Sequence, residues 1–95
     1  PELINDIIVF GAGKISNEII KKTNFFKNIL NFDLVDSDIS KIGKKLNNKT
    51  ILSPSILKND NRKIFIATAQ HYDAVYSKIL EIKGNNKNII NGLII

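Results

Sequence analysis

Two glycines one residue apart, Gly11 and Gly13, and an aspartate further on, Asp36, are the residues whose types and spacing suggest chemistry. Gly11 ends the apolar run Ile7-Ile-Val-Phe10, and a helix-compatible segment follows directly. The first amides of a helix have no partner within it, so a helix start fed by a glycine turn attracts an anion. Gly11 supplies backbone angles barred to other residues, and Gly13, lacking a Cβ, lets a diphosphate approach the main chain. The amides of Lys14 and Ile15 complete the expected cradle. Ser16 stands where a G-x-G-x-x-G pattern has its third glycine; it is small, so the close helix–strand packing is weakened but still allowed. Asp36 closes a second apolar run about 20 residues beyond Ser16, where a carboxylate accepts from ribose hydroxyls. Ser37, beside it, joins the candidate set.

The remaining candidates are weaker. Thr68 and Gln70 follow the apolar run Ile64 to Ala67 and offer hydrogen bonds to a phosphate or a ribose. His71 is the single histidine. As a general base it needs a carboxylate, and Asp73 is near in sequence, but its position equally suits an exposed residue at a helix start. Tyr72 and Tyr76, one helical turn apart, read as packing residues before base-stacking ones. Asp33 and Asp36 fall on opposite pleats of one strand, so with Asp38 they do not converge on a metal, and none is expected. No Ser-His-Asp or Cys-His set is present.

These residues need a scaffold of alternating strands and helices. Strands are predicted over Ile7–Phe10, Leu30–Val35, Thr50–Leu52, Lys63–Ala67 and from Ile89 onward. A first helix is predicted from about Gly13 to Thr23, with Ile15, Ile19 and Ile20 on its apolar stripe and Phe25 or Phe26 over its end. Ser37 to Gly43 suffices for one helical turn. Asn47-Asn48 is a polar turn between two short extended pieces. Ser53 and Pro54 suit an N-cap and a first helical position. A second long helix, Tyr72 to Lys83, presents Val75, Ile79 and Ile82 on one face and stops at Gly84. Such alternation implies an α/β domain with a five-stranded parallel sheet ordered 3-2-1-4-5. Its switch point opens a crevice above Gly11, Asp36 and Thr68.

Composition narrows the function. The 95 residues suit one small domain, and no apolar run approaches the length of a membrane span. With no cysteine there is neither a disulfide framework nor a thiolate metal site, and the cytoplasm is the expected location. The net charge of +5 comes from lysines spread along the chain with a single arginine, Arg62, which reads as solvated surface and not as a nucleic-acid interface. The chain starts at Pro1 and contains no methionine, so it is expected to be a piece of a longer protein whose partner domain is missing.

Taken together, Val-Phe-Gly-Ala-Gly, Asp-Leu-Val-Asp-Ser-Asp, Ile-Gly-Lys-Lys-Leu, Ile-Leu-Ser-Pro-Ser-Ile-Leu and Ile-Phe-Ile-Ala-Thr resemble the small Rossmann-like domains of bacterial surface-polysaccharide enzymes. Those domains accompany nucleotide-diphosphate-sugar epimerases and dehydratases, sugar acyltransferases, and sugar or methyl transferases. The resemblance implies a three-layer Rossmann-like fold that binds NAD(P), coenzyme A or a nucleotide-diphosphate sugar. By position, Gly11 and Gly13 match the phosphate loop and Asp36 the acid ending the second strand. Ser16 departs from the glycine common there.

Three functions therefore compete. The first is the nucleotide-binding part of an enzyme acting on activated sugars, without a complete catalytic set of its own. The second is a regulatory module that senses NAD. The third is a structural or oligomerising domain with an empty crevice, and association of the chain with copies of itself stays open.

Overall fold

The computed structural model describes residues 7–13, 18, 32–46, 49–68 and 70–91. Strand β1 (Ile7–Phe10) carries Ile, Ile, Val and Phe in succession, a pattern suited to burial on both faces. Ile7, Ile8 and Val9 are wholly inaccessible and Phe10 is 1% exposed, which places β1 inside the sheet and not at its edge. It lies between β2 (Phe32–Val35) and β5 (Ile64–Ile66), parallel to both. On the far side of β2 comes β4 (Lys49–Leu52), and beyond β5 comes β6 (Ile89–Asn91), again parallel.

The sheet has six strands where five were expected. Its order is β3-β4-β2-β1-β5-β6, and β3 (Lys45–Leu46) runs antiparallel to β4. With β3 set aside, the parallel strands keep the expected relative order. The added strand arises because the chain reverses between the two short extended pieces flanking residues 47–48. Gly43, at φ +89°, turns its amide onto the Ile51 carbonyl at 2.8 Å, and the Ile51 amide donates to Lys44 at 2.8 Å. That exchange holds the preceding segment against β4. A purely parallel sheet is thus corrected to a mixed one.

Alternate side chains of the strands feed two cores. Ile8, Phe10, Val35, Ile64 and Ile66 pack with Leu57 and with Val75 and Ile79 of helix α1 (Tyr72–Lys83). Ile7, Val9, Leu34, Ile51, Phe65 and Ala67 form the core of the opposite face. Each fully buried Val, Leu, Ile or Phe among them contributes about 1.5–3 kcal/mol on burial. Of the helix predicted from Gly13 to Thr23, only Gly13, in a bend, and Glu18, helical and exposed, are described; Phe25, Phe26 and the rest of that layer lie outside the described residues.

The local signals operate as their chemistry dictates. Pro54–Asn59 forms a 3-10 helix, with Ser53 Oγ accepting from the Ser55 amide at 3.3 Å. Helix α1 ends at Gly84 in the left-handed conformation, its amide donating to Leu80 at 2.8 Å. Tyr72 and Tyr76 stack at a centroid distance of 6.1 Å against the first core, as packing residues. Lys83, in the last turn of α1, donates to the carbonyls of Leu57 and Asp60 and ties helix to 3-10 segment. Among the described residues, no helix is long and apolar enough to cross a membrane.

Candidate functional site

Parallel strands end on one edge of the sheet, and the loops leaving β1, β2 and β5 meet there. The Gly11 amide donates to Val35 at 2.8 Å, the Asp36 amide to Leu52 at 3.2 Å and the Ala67 amide to Phe10 at 3.0 Å. These bonds carry the strand ladder into the loops and fix their mutual positions. Above them opens a cleft of about 730 Å³.

Gly11 is required at the base of this cleft by geometry. Its φ is +114°, and a Cβ there would stand 3.2 Å from the Ala67 carbonyl oxygen and 3.5 Å from the Thr68 Cβ. Only a residue without a side chain lets the β1 and β5 loops approach so closely. Gly13 differs: a Cβ on it would meet nothing within 4 Å, because that position faces open space in the cleft wall. Gly11 thus shapes the site, whereas Gly13 leaves room in it.

Asp36 organises the next wall. Its Oδ2 accepts from the Ala12 amide at 2.9 Å and its Oδ1 from the Asp38 amide at 2.8 Å. One carboxylate therefore binds the glycine loop to the turn after β2. Hydrogen bonds to a charged acceptor are the stronger kind, about 1.5–3 kcal/mol each. The Lys41 ammonium stands 4.0 Å from Oδ2. Asp38 accepts from the Ser40 hydroxyl at 2.7 Å and its amide at 3.0 Å, and the Ser40 hydroxyl above all holds the Asp38 carboxyl below its ordinary value.

Of the residues expected from the sequence, Gly11, Gly13, Asp36, Ser37 and Thr68 all line this cleft, together with Gln70 and His71. Lys14 and Ile15 lie outside the described residues. His71 is exposed at the start of α1 and makes no side-chain cap bond, and among the described residues no hydrogen bond joins it to Asp73. Asp33 is turned to other work, since Arg62 Nη1 bonds it at 2.9 Å while Nη2 bonds Asp60 at 2.8 Å. Among the described residues no group of three acids, histidines or cysteines is placed to hold a metal.

Sequence reasoning missed Ala12, Asp38 and Lys78 as cleft residues; Lys41, which its nearness in sequence to Asp36 suggested as a charge close to that site, lines the cleft as well. Ala12 acts through its backbone, which no residue type reveals. Lys78 reaches the cleft from the second turn of α1, on the side of Val75, and only the docking of that helix puts it there. The arrangement suits a ligand that carries both anionic and hydroxyl groups and spans the ends of β1, β2 and β5.

Comparison with known proteins bears on which ligand this is. A family model described as "C2185-like, N-terminal" matches residues 3–90. No curated protein matches the chain in sequence. Among solved structures, RSP, a Rex-family repressor, superposes with a TM-score of 0.59 at 15% identity, covering 94% of this chain and 51% of that one. RSP in complex with beta-NAD+ and operator DNA gives the same TM-score and identity and is covered over 49% of its length. The chain thus spans about half the length of these structures, and at this identity the likeness establishes a shared fold.

Two expectations are corrected by these findings. The resemblance to surface-polysaccharide enzymes does not stand, since the matched family is the C2185-like N-terminal one and the structural neighbours are structures of a Rex-family repressor. Its motifs, a G-x-G turn and an acid after the second strand, are shared by many folds that bind nucleotides and do not separate one family from another. The exclusion of nucleic acid as a partner falls as well, because the second neighbour is bound to operator DNA. That exclusion rested on scattered lysines and a single arginine. Such a surface says nothing of the assembly in which a fold of this kind operates.

Proposed function

The chain belongs to the C2185-like N-terminal family, and from that premise we propose that it is a nucleotide-binding module of the NAD type with a regulatory and not a catalytic role. The observation that carries this reading is the cleft itself. Gly11 lets the β1 and β5 loops close together, Gly13 leaves open space, and Asp36 stands oriented by two backbone amides at the strand ends. A diphosphate fits against the glycine loop and ribose hydroxyls fit near Asp36 and Ser37, with Thr68 across the cleft. The complex of a structural neighbour with NAD+ supports the choice of ligand, and the repressor role of that neighbour supports regulation.

The regulatory half also rests on what the cleft brings together. General acid–base catalysis needs a positioned pair within about 3 Å of the reacting atoms. His71 has no such companion among the described residues. Calorimetric titration with NAD+, NADH and a UDP-sugar tests the proposal, with product analysis on the same mixtures and duplex DNA titrated as a separate arm. NAD+ or NADH is expected to bind without being consumed and in preference to the UDP-sugar. Absence of binding by either dinucleotide overturns the reading in favour of a structural domain, and turnover abolished by His71→Ala overturns the regulatory role.

A further inference from the structure

The cleft does not end at Ser37. A smaller cavity of about 320 Å³ adjoins it, lined by Ile39, Ile42, Pro54 and Ile82 among others, and Ser37 and Lys78 line both spaces. Lys78 therefore stands at their junction, facing the turn that follows Asp36. It is partly buried, and it flanks the core positions Val75 and Ile79 of α1. Such a side chain lays its four-carbon stem along the apolar surface of α1 and keeps its ammonium at the polar boundary, here the lining shared by the two spaces.

The nearby charges do not satisfy it. Both oxygens of Asp36 accept from backbone amides, and Lys41 is the cation beside that carboxylate. Asp38 accepts from Ser40. Among the described residues Lys78 has no hydrogen-bond or ion-pair partner. A lysine without a counter-charge, on the wall of a cleft of this kind, has its charge available to pair with an anionic ligand.

We propose that Lys78 is the phosphate-binding cation of the cleft, contacting a phosphate of the bound nucleotide from the α1 side, opposite the glycine loop. This rests on the nucleotide-binding reading above and adds to it a residue outside the glycine turn. The phosphate has two sources, the bridging diphosphate of a dinucleotide or a phosphate on the ribose.

The test is titration of wild type, Lys78→Gln and Lys78→Arg with NAD+, NADP+, AMP and adenosine, with thermal unfolding of each variant as a check on folding. Lys78→Gln is expected to weaken AMP and NAD+ by about tenfold or more while adenosine changes by less than about twofold. Lys78→Arg keeps most of the affinity, since the charge remains. A larger loss for NADP+ than for NAD+ assigns the contact to a ribose phosphate, and an equal loss assigns it to the diphosphate. The proposal is overturned by unchanged affinity for every phosphate compound, or by an equal loss for adenosine. If wild type binds none of the phosphate compounds, the nucleotide-binding reading falls with it. If wild type binds them and Lys78→Gln binds them equally well, only the role of Lys78 falls.

Discussion

The amide of Ala12 donates to Asp36 Oδ2 at 2.9 Å, joining two loops that lie 24 residues apart in the chain. An acid expected to act on a ligand thus acts first on its own protein. Because the second oxygen accepts from Asp38, the carboxylate is oriented before any ligand arrives.

Replacing Asp36 with alanine therefore has a structural effect as well as a binding one. Two backbone amides lose their acceptor, that of Ala12 at a partly buried position and that of Asp38 at an exposed one, and a loss of about 1–3 kcal/mol is expected in chemical denaturation. Asp36→Asn, which keeps one acceptor oxygen, is expected to lose less. In the same proteins, preference for NAD+ over NADP+ is expected to be clear in wild type and reduced in Asp36→Asn, because a carboxylate repels a ribose phosphate. Equal affinities in wild type would take Asp36 out of ligand selection.

The two loop glycines separate by substitution. Gly11→Ala forces a Cβ against the Ala67 carbonyl in an unfavourable backbone conformation and is expected to cost about 1–3 kcal/mol of stability. Gly13→Ala meets open space, so its stability stays within about 0.5 kcal/mol of wild type. Its methyl group nevertheless projects where a diphosphate is expected, and NAD+ affinity should fall by about tenfold or more. Thermal melts and titrations on both variants check the contrast.

Acid titration tests the far side of the fold. The Arg62 side chain is the main cause holding the Asp60 carboxyl below its ordinary value. A carboxylate with a lowered folded pKa stabilises the protein above its unfolded value, and that contribution is lost as pH falls through the folded one. The loss is thus expected below about pH 4. Asp60→Asn should flatten stability against pH in that window and leave the profile near neutrality parallel to wild type, as read from urea denaturation at a series of pH values.

Gly84 ends α1 at φ +77°, a conformation in which any L side chain is strained. Gly84→Ala is expected to cost about 1 kcal/mol. The effect belongs in the melting temperature and not in ligand affinity, because Gly84 is remote from the cleft lining.

Much of this architecture is legible in the residues. Ile7–Phe10 and the run around Ile64–Ile66 announce buried parallel strands, and Val75, Ile79 and Gly84 define α1 with the bounds found. Gly11, Asp36 and Thr68 fall on one edge because alternating strands and helices permit few other arrangements. Strand β3 is harder to see. Two residues with one exposed lysine carry no periodicity, and their pairing depends on where Gly43 sends the chain. Lys41 and Lys78 look like solvated surface in a lysine-rich sequence, and only the turn after β2 and the docking of α1 carry them to the cleft. The likeness to polysaccharide enzymes failed for a different reason: short strand and turn motifs reflect the needs of a fold, and many unrelated activities share that fold.

Strand β3 has a consequence for how the molecule behaves in a crowded solution. Without it, β4 would present its backbone at the end of the sheet order, a template on which another chain could add a strand. The pairing of Lys45 with Thr50 and of Leu46 with Lys49 occupies that backbone with a ribbon only two residues long. So short a border, with Lys45 exposed on it, offers little length for further pairing and places a charge where an incoming strand would settle. The small hairpin thus works as a guard rail, letting a rigid, mostly parallel sheet stop cleanly on that side instead of recruiting its neighbours.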